Sequence, residues 1–217
     1  YYYVTPPEPE WDAARKAEWL TAFNFYTTDV VSIHEAYPGH FVQAQHLRAS
    51  GVEGPARFMG SYAFIEGWAH YTEQMMLDEG FPPSTLADTP ADRAKYRMAQ
   101  ASEALLRCCR LVAAIRMHTQ GWTLDQATRL FVEQAHYSEA TAREEAERGA
   151  FDPGYALYTV GKLQFLKLRE DWKRQEGDAF TLRRFHDELL RHGQPPIRLL
   201  RERMLRDPAL WDATLGD

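Results

Sequence analysis

FMGSYAFIEGWAHYTEQMMLDEG, residues 58–80, is the stretch from which the fold class is read. Its apolar residues recur at the spacing of a helix face rather than the alternation of a strand, and Gly80 supplies a helix stop. The same spacing dominates the chain on both sides. Upstream it predicts helices over Trp11–Phe23, over Thr28–Tyr37 with Asp29 in the first turn, and over Phe41–Ala49, with Pro38-Gly39 separating the last two. Downstream, Thr89-Pro90 is an N-cap and first-turn pair for a helix running to Gly121, and Thr123 with Gln126 forms a capping-box pattern for the next. A further helix is expected over Ala156–Gln175, with shorter ones starting at Leu182 and Pro196. Tyr1–Thr5 has strand-like composition and stops at Pro6-Pro7, which predicts one short N-terminal edge strand. With no repeat, low-complexity tract or heptad seam, the expectation is a mainly α, irregular helical domain over residues 1–217.

Composition narrows the function classes. The 217 residues are 45% hydrophobic and 26% charged, an ordinary globular balance with enough chain for a sizeable core. A net charge of −6 and the lack of a dense basic run argue against nucleic acid and against anionic membrane surfaces. The two cysteines, Cys108 and Cys109, are adjacent, so they cannot close a useful loop or make a structural zinc site, and are read as buried thiols. No segment has the apolar length to span a bilayer. The start, YYYVTPPEPEW, has neither an initiator Met nor signal-peptide character, so the chain reads as part of a longer protein. Compartment stays open among secreted, periplasmic, lipoprotein-anchored and cytoplasmic.

The chemistry concentrates in SIHEAYPGHFVQ, residues 32–43. Two histidines four apart on a continuous helix can share one zinc, but His34 and His40 are six apart. Six residues turn a helix by about 600°, leaving the rings roughly 120° out of line. A helix that ends at Pro38-Gly39 and restarts can bring His40 back beside His34, because glycine permits a left-handed or bulged backbone. Further polar groups stand ready in FIEGWAHYTEQ, where Glu66, His70 and Glu73 form one stripe of an otherwise apolar helix. A buried carboxylate needs a metal or a salt bridge. Residue types alone leave two readings: a Glu66–His70 pair with His34 and His40 in surface loops, or a zinc site of two histidines and one glutamate with Glu35 beside it as general base.

HEAYPGH followed by Gln43, then EGWAHYTEQMM, MHTQGWTLDQA, ERGAFDPGYALYTVGKLQFLKLRED and FHDELLRHGQPPI, resemble the successive blocks of the bacterial family named domain of unknown function 885. The resemblance runs from the first residues nearly to the end and matches the C-terminal portion of typically longer proteins. That family is similar to zinc metallopeptidases with a His-Glu helix and a downstream Glu ligand. The resemblance implies a metallopeptidase-like active-site helix, with His34 and His40 as the motif's histidines, Glu35 as its glutamate and Glu66 as a ligand. It leaves open whether His70 joins the metal.

Other residues complete the reading. Tyr158 and Tyr155 follow Pro153-Gly154 in a first helical turn, from which a phenol can donate to an oxyanion, and Tyr158 is preferred; His118, before Gly121, is the second candidate. Arg148 and Lys162 flank that turn; Arg148, with Tyr155, is assigned to substrate binding. His46, His136, His186 and His192 lack a partner at useful spacing and are read as structural or exposed. The expected function is a zinc-dependent hydrolase cleaving peptide bonds, in which Glu35 takes the proton of a metal-activated water. The alternatives are a helical binding module with a structural metal, and a hydrolase of non-peptide amides or esters. Expected partners are a peptide or small amide substrate, and either a missing N-terminal region or a second copy of the chain.

Overall fold

A computed structural model describes residues 2–83, 86 and 89–215. It is built of α1 (Ala13–Ala22), α2 (Phe25–Glu35), α3 (His40–Ala49), α4 (Pro55–Phe58), α5 (Tyr62–Asp78), α6 (Pro90–Gln120), α7 (Leu124–Ala135), α8 (Glu139–Phe151), α9 (Leu157–Glu176), α10 (Leu182–Leu190) and α11 (Ile197–Met204). Side-chain caps start many of them. Asp12 accepts from the Arg15 N–H, Asn24 from those of Tyr26 and Thr27, Thr89 from that of Asp92, and Thr123 with Gln126 closes the expected capping box. Such caps contribute about 1 kcal/mol each. The long helix α6 ends, as expected, on Gly121 in the left-handed conformation (φ 68°).

The fold pivots on α5. One core cluster joins its Phe64 and Trp68 to Phe165 and Leu168 of α9, Phe185 and Leu189 of α10 and Leu200 of α11. A second joins α6, α7 and α8 through Ala113, Phe131, Ala142, Ala146 and Tyr155. α5 and α9 cross with backbones in contact: a Cβ on Gly161 would stand 2.0 Å from the Ala63 carbonyl oxygen, and one on Gly67 would stand 2.6 Å from Gly161 Cα. No side chain fits between them. The crossing brings the start of α9 against α5.

Two expectations are corrected, and one helix went unexpected. Among the described residues there is no strand: Tyr2–Thr5 is irregular chain with no sheet edge to pair with, its Tyr2 hydroxyl 2.9 Å from Ser32 Oγ on α2, while Tyr1 lies outside the described residues. Cys109 is buried but Cys108 is exposed. The sequence reading also passed over α8, whose buried face is made of Ala142, Ala146 and Gly149, residues too small to write a strong apolar period.

Candidate metal centre

α2 ends at Glu35 and α3 begins at His40, so Pro38-Gly39 does break the helix. The Ala36 and Tyr37 N–H groups both donate to the Ser32 carbonyl, and the Gly39 N–H reaches back to Ile33 O at 2.9 Å. A Cβ on Gly39 would lie 1.8 Å from His34 O and 2.4 Å from Ile33 O. Glycine is required here for that close approach rather than for a left-handed backbone, since its φ is −70°. The Trp68 indole N–H donates to Pro38 O at 3.1 Å and pins the loop to α5. The His34 and His40 rings consequently meet at right angles with centroids 4.8 Å apart.

Glu66 completes the cluster from α5. Its Oε2 is 3.4 Å from the Nε2 of His34 and 3.4 Å from the Nε2 of His40. That oxygen is buried and has no hydrogen-bond partner. Ligands around a tetrahedral zinc with bonds of ~2.0–2.1 Å stand about 3.4 Å from one another, so the spacing fits a shared small cation better than a hydrogen bond. Burial works against charge on Glu66, yet the two imidazoles hold its carboxyl down at about 2. Glu35, on the exposed side of α2, also places an oxygen within 4.8 Å of the ligand atoms of His34 and His40. The histidine pair thus has a half-buried carboxylate, Glu66, and an exposed one, Glu35, within reach. Their exposure separates the roles: Glu66 suits a ligand and Glu35 a group that meets water.

Behind His34 lies a further carboxylate, Glu73, fully buried about two turns further along α5. Its Oε1 takes the His34 Nδ1 at 2.7 Å and the Arg107 guanidinium at 3.2 Å, and its Oε2 takes His70 Nδ1 at 3.1 Å. Glu73 is ionised despite burial, chiefly because Arg107 and then His70 and His34 favour its charge, so it accepts from all of them. Burial opposes charge on His34, yet Glu66 and Glu73 together raise its pKa; in the neutral Nδ1–H tautomer that a metal would select, the Nε2 lone pair faces Glu66. Burial lowers the His70 pKa to about 4, so the ring is neutral near pH 7 and serves Glu73 rather than the His34–His40 pair. Arg107 in turn pairs with Glu103.

The structure sorts the remaining candidates. Tyr158 is brought to the site: its ring stacks on His34 at 6.2 Å, and its hydroxyl accepts from Tyr62 at 3.4 Å. Arg148 stands beside it; burial opposes the Arg148 charge while the Tyr158 phenol favours it. Tyr155 is not available to a substrate, being fully buried with its hydroxyl over Gly149, where a Cβ would come within 2.0 Å. His118 donates to or accepts from no site residue; its Nε2 is bonded to the Gly149 carbonyl at 2.9 Å. Lys162, considered for a substrate carboxylate, is buried. The sequence reading noted Glu73 but not its role, and missed Arg107 and Tyr62. Seven-residue spacing from Glu66 was a signal for Glu73, whereas nothing distinguishes Arg107 from other arginines of α6.

Comparison with known proteins shows the family and the helical fold. The model of a family described as bacterial protein of unknown function (DUF885) matches residues 1–204. A solved structure from Shewanella oneidensis, described as a candidate lipoprotein of unknown function, matches with a TM-score of 0.82 and 28% identity over 95% of this chain and 36% of that one. A candidate lipoprotein from Colwellia psychrerythraea matches with a TM-score of 0.76 and 30% identity over 84% of this chain and 30% of that one. The chain therefore spans about a third of the length of these structures. A search of the curated proteins gives no match. No helix among the described residues is long and apolar enough to cross a membrane.

Proposed function

We propose that this chain, which belongs to the DUF885 family of bacterial proteins of unknown function, is a zinc-dependent hydrolase that cleaves peptide bonds. The observation carrying the reading is the buried, unpartnered Oε2 of Glu66 equidistant from two imidazole nitrogens. A carboxylate oxygen left so would cost several kcal/mol without a cation to meet it. His34, His40 and Glu66 would hold the ion. When bound, zinc supplies Lewis acidity and a water acidified toward neutrality.

The chain's own residues do the rest. Glu35 is exposed beside the histidine pair and accepts the water's proton, then delivers it to the leaving amine. The Tyr158 phenol, stacked over His34, donates to the substrate carbonyl oxygen as negative charge develops there. Glu73 keeps His34 in one tautomer and one orientation. Arg148, beside Tyr158, offers a cation for a substrate carboxylate. Both solved neighbours are described as candidate lipoproteins, which supports a location at the bacterial envelope for the activity.

Glu35→Gln tests the reading, because it keeps the shape and removes the base. Zinc content measured on the purified variant should equal wild type while peptide hydrolysis falls about a hundredfold or more. His34→Ala with His40→Ala should abolish zinc retention. A zinc-loaded wild type that hydrolyses nothing in a broad peptide and ester screen would leave a metal-stapled binding module in place of the enzyme.

A further inference from the structure

Beside the site runs a groove of about 590 Å³, within the ~300–1,000 Å³ typical of ligand pockets. Its walls are the irregular N-terminal segment, Trp19 and Leu20 of α1 with Phe23 at its C-cap, and Thr28, Val31 and Glu35 of α2. The last three are spaced i, i+3 and i+7, one stripe of α2, whereas Val30, Ile33 and His34 form its buried face. One helix thus presents His34 to the candidate metal and Glu35 to the groove. Glu35 belongs to both, since its carboxylate lies within reach of the His34–His40 pair and also lines the groove.

The lining is unusual for a free surface. Leu20 is 56% exposed, Val4 66% and Phe23 48%, so the large apolar groups stand uncovered around the groove. Among the described residues, Glu35 is the only charged one lining it. An apolar trough with one carboxylate at its catalytic end takes a large apolar side chain and repels an acidic one.

We infer that this groove receives a large apolar side chain, aromatic or leucine-like, adjacent to the bond that is cleaved. The assignment rests on the hydrolase reading above and names the substrate class of that same site. It also explains the 2.9 Å contact between Tyr2 Oη and Ser32 Oγ: by tying the N-terminal segment to α2, it keeps one wall of the groove standing.

The test has two arms that fail separately. In the first, amide chemical-shift changes are followed as N-acetyl-phenylalanine amide or N-acetyl-aspartate amide is added to the 217-residue chain. The phenylalanine probe should shift Leu20, Phe23, Val31 and Glu35 at dilute protein, the aspartate probe should not, and Leu20→Glu should weaken the binding at least tenfold. In the second, an equimolar peptide library is digested, and cleavage should concentrate beside large apolar residues and lose that preference in Leu20→Glu. Probe binding without any hydrolysis would sink the hydrolase reading and leave the groove assignment standing. Shifts located elsewhere, equal binding of both probes, or groove shifts that appear only as protein concentration rises, marking a second copy as the occupant, would overturn the groove assignment.

Discussion

Replacing Glu73 by Gln keeps the volume of a fully buried side chain and removes its charge. In the wild type that carboxylate receives three donors: His34 at 2.7 Å, His70 at 3.1 Å and Arg107 at 3.2 Å. A glutamine offers one acceptor oxygen and an NH2 group that must face one of those donors. His70, neutral at pH 7, can answer by changing tautomer, but Arg107 cannot lose its charge. Removing one partner of a buried pair costs about 3–5 kcal/mol, and because Glu103 still pairs with Arg107 the lower end applies, about 3 kcal/mol. For a chain of this size each kcal/mol moves Tm by about 2–4 °C, so Glu73→Gln should melt about 6–12 °C below wild type. The assay is calorimetric unfolding of chelator-treated protein at pH 7, so that metal does not enter the comparison. Adding Arg107→Met to Glu73→Gln should recover most of the loss, since the uncompensated cation is what causes it. A drop under about 2 °C, or no recovery in the double variant, would refute the account of Glu73 as the partner holding Arg107 and His34.

Four further outcomes are expected. Gly161→Ala should destabilise by about 1–3 kcal/mol or more, read by urea unfolding, because its Cβ would enter the Ala63 carbonyl at 2.0 Å and force α5 and α9 apart. Tyr155→Phe should leave stability unchanged or raise it by up to about 1–3 kcal/mol, because the buried hydroxyl has no partner; a loss of peptide binding in that variant would reopen the substrate role. Burial and then Arg169 lower the His186 pKa to about 4, beneath its unfolded value of about 6.5, so the unfolded chain binds more protons between those limits. Stability should therefore fall as pH drops through that window, by up to about 3 kcal/mol from this group, and His186→Gln should flatten the slope measured by urea titrations at pH 7 and 4.5. Stripping zinc with chelator should lower Tm, and an equal Tm before and after would count against a native metal.

The helices were legible because their starts are written in side chains. Thr89, Thr123 and the break at Pro38-Gly39 are local signals, and the structure follows them. The meeting of His34, His40 and Glu66 was legible too, through residue types on an apolar stripe and a family resemblance. Depth was harder to read. Tyr155 and Tyr158 share a turn and look equivalent in sequence, yet Tyr155 points into the α6–α8 core and Tyr158 onto His34, a difference set by tertiary packing. The same holds for Arg107, whose value comes from facing Glu73 across two helices. From Glu66-Gly67-Trp68 the sequence reading drew only the ligand Glu66. The stretch in fact carries three separate duties: Glu66 in the site, Gly67 at the helix crossing and Trp68 on the Pro38 carbonyl.

The close crossing of Gly67 and Gly161 sets an order of events during folding. His34 and Glu73 lie 39 residues apart, Tyr62 and Tyr158 are separated by 96, and Gln43 bonds Gln194 across 151. Contacts of such range form late, after loop-closure entropy has been overcome by helices that nucleate locally. α5 must therefore wait for α9 to be synthesised before the two backbones can seat and Tyr158 can reach His34. A nascent chain that reaches only to residue 150 carries His34, His40, Glu66 and Glu73 but not the α9 tyrosine that packs on His34. His34, His40 and Glu66 all precede residue 67, so the surroundings of that cluster, rather than the cluster's own residues, are what the late packing of α9 supplies.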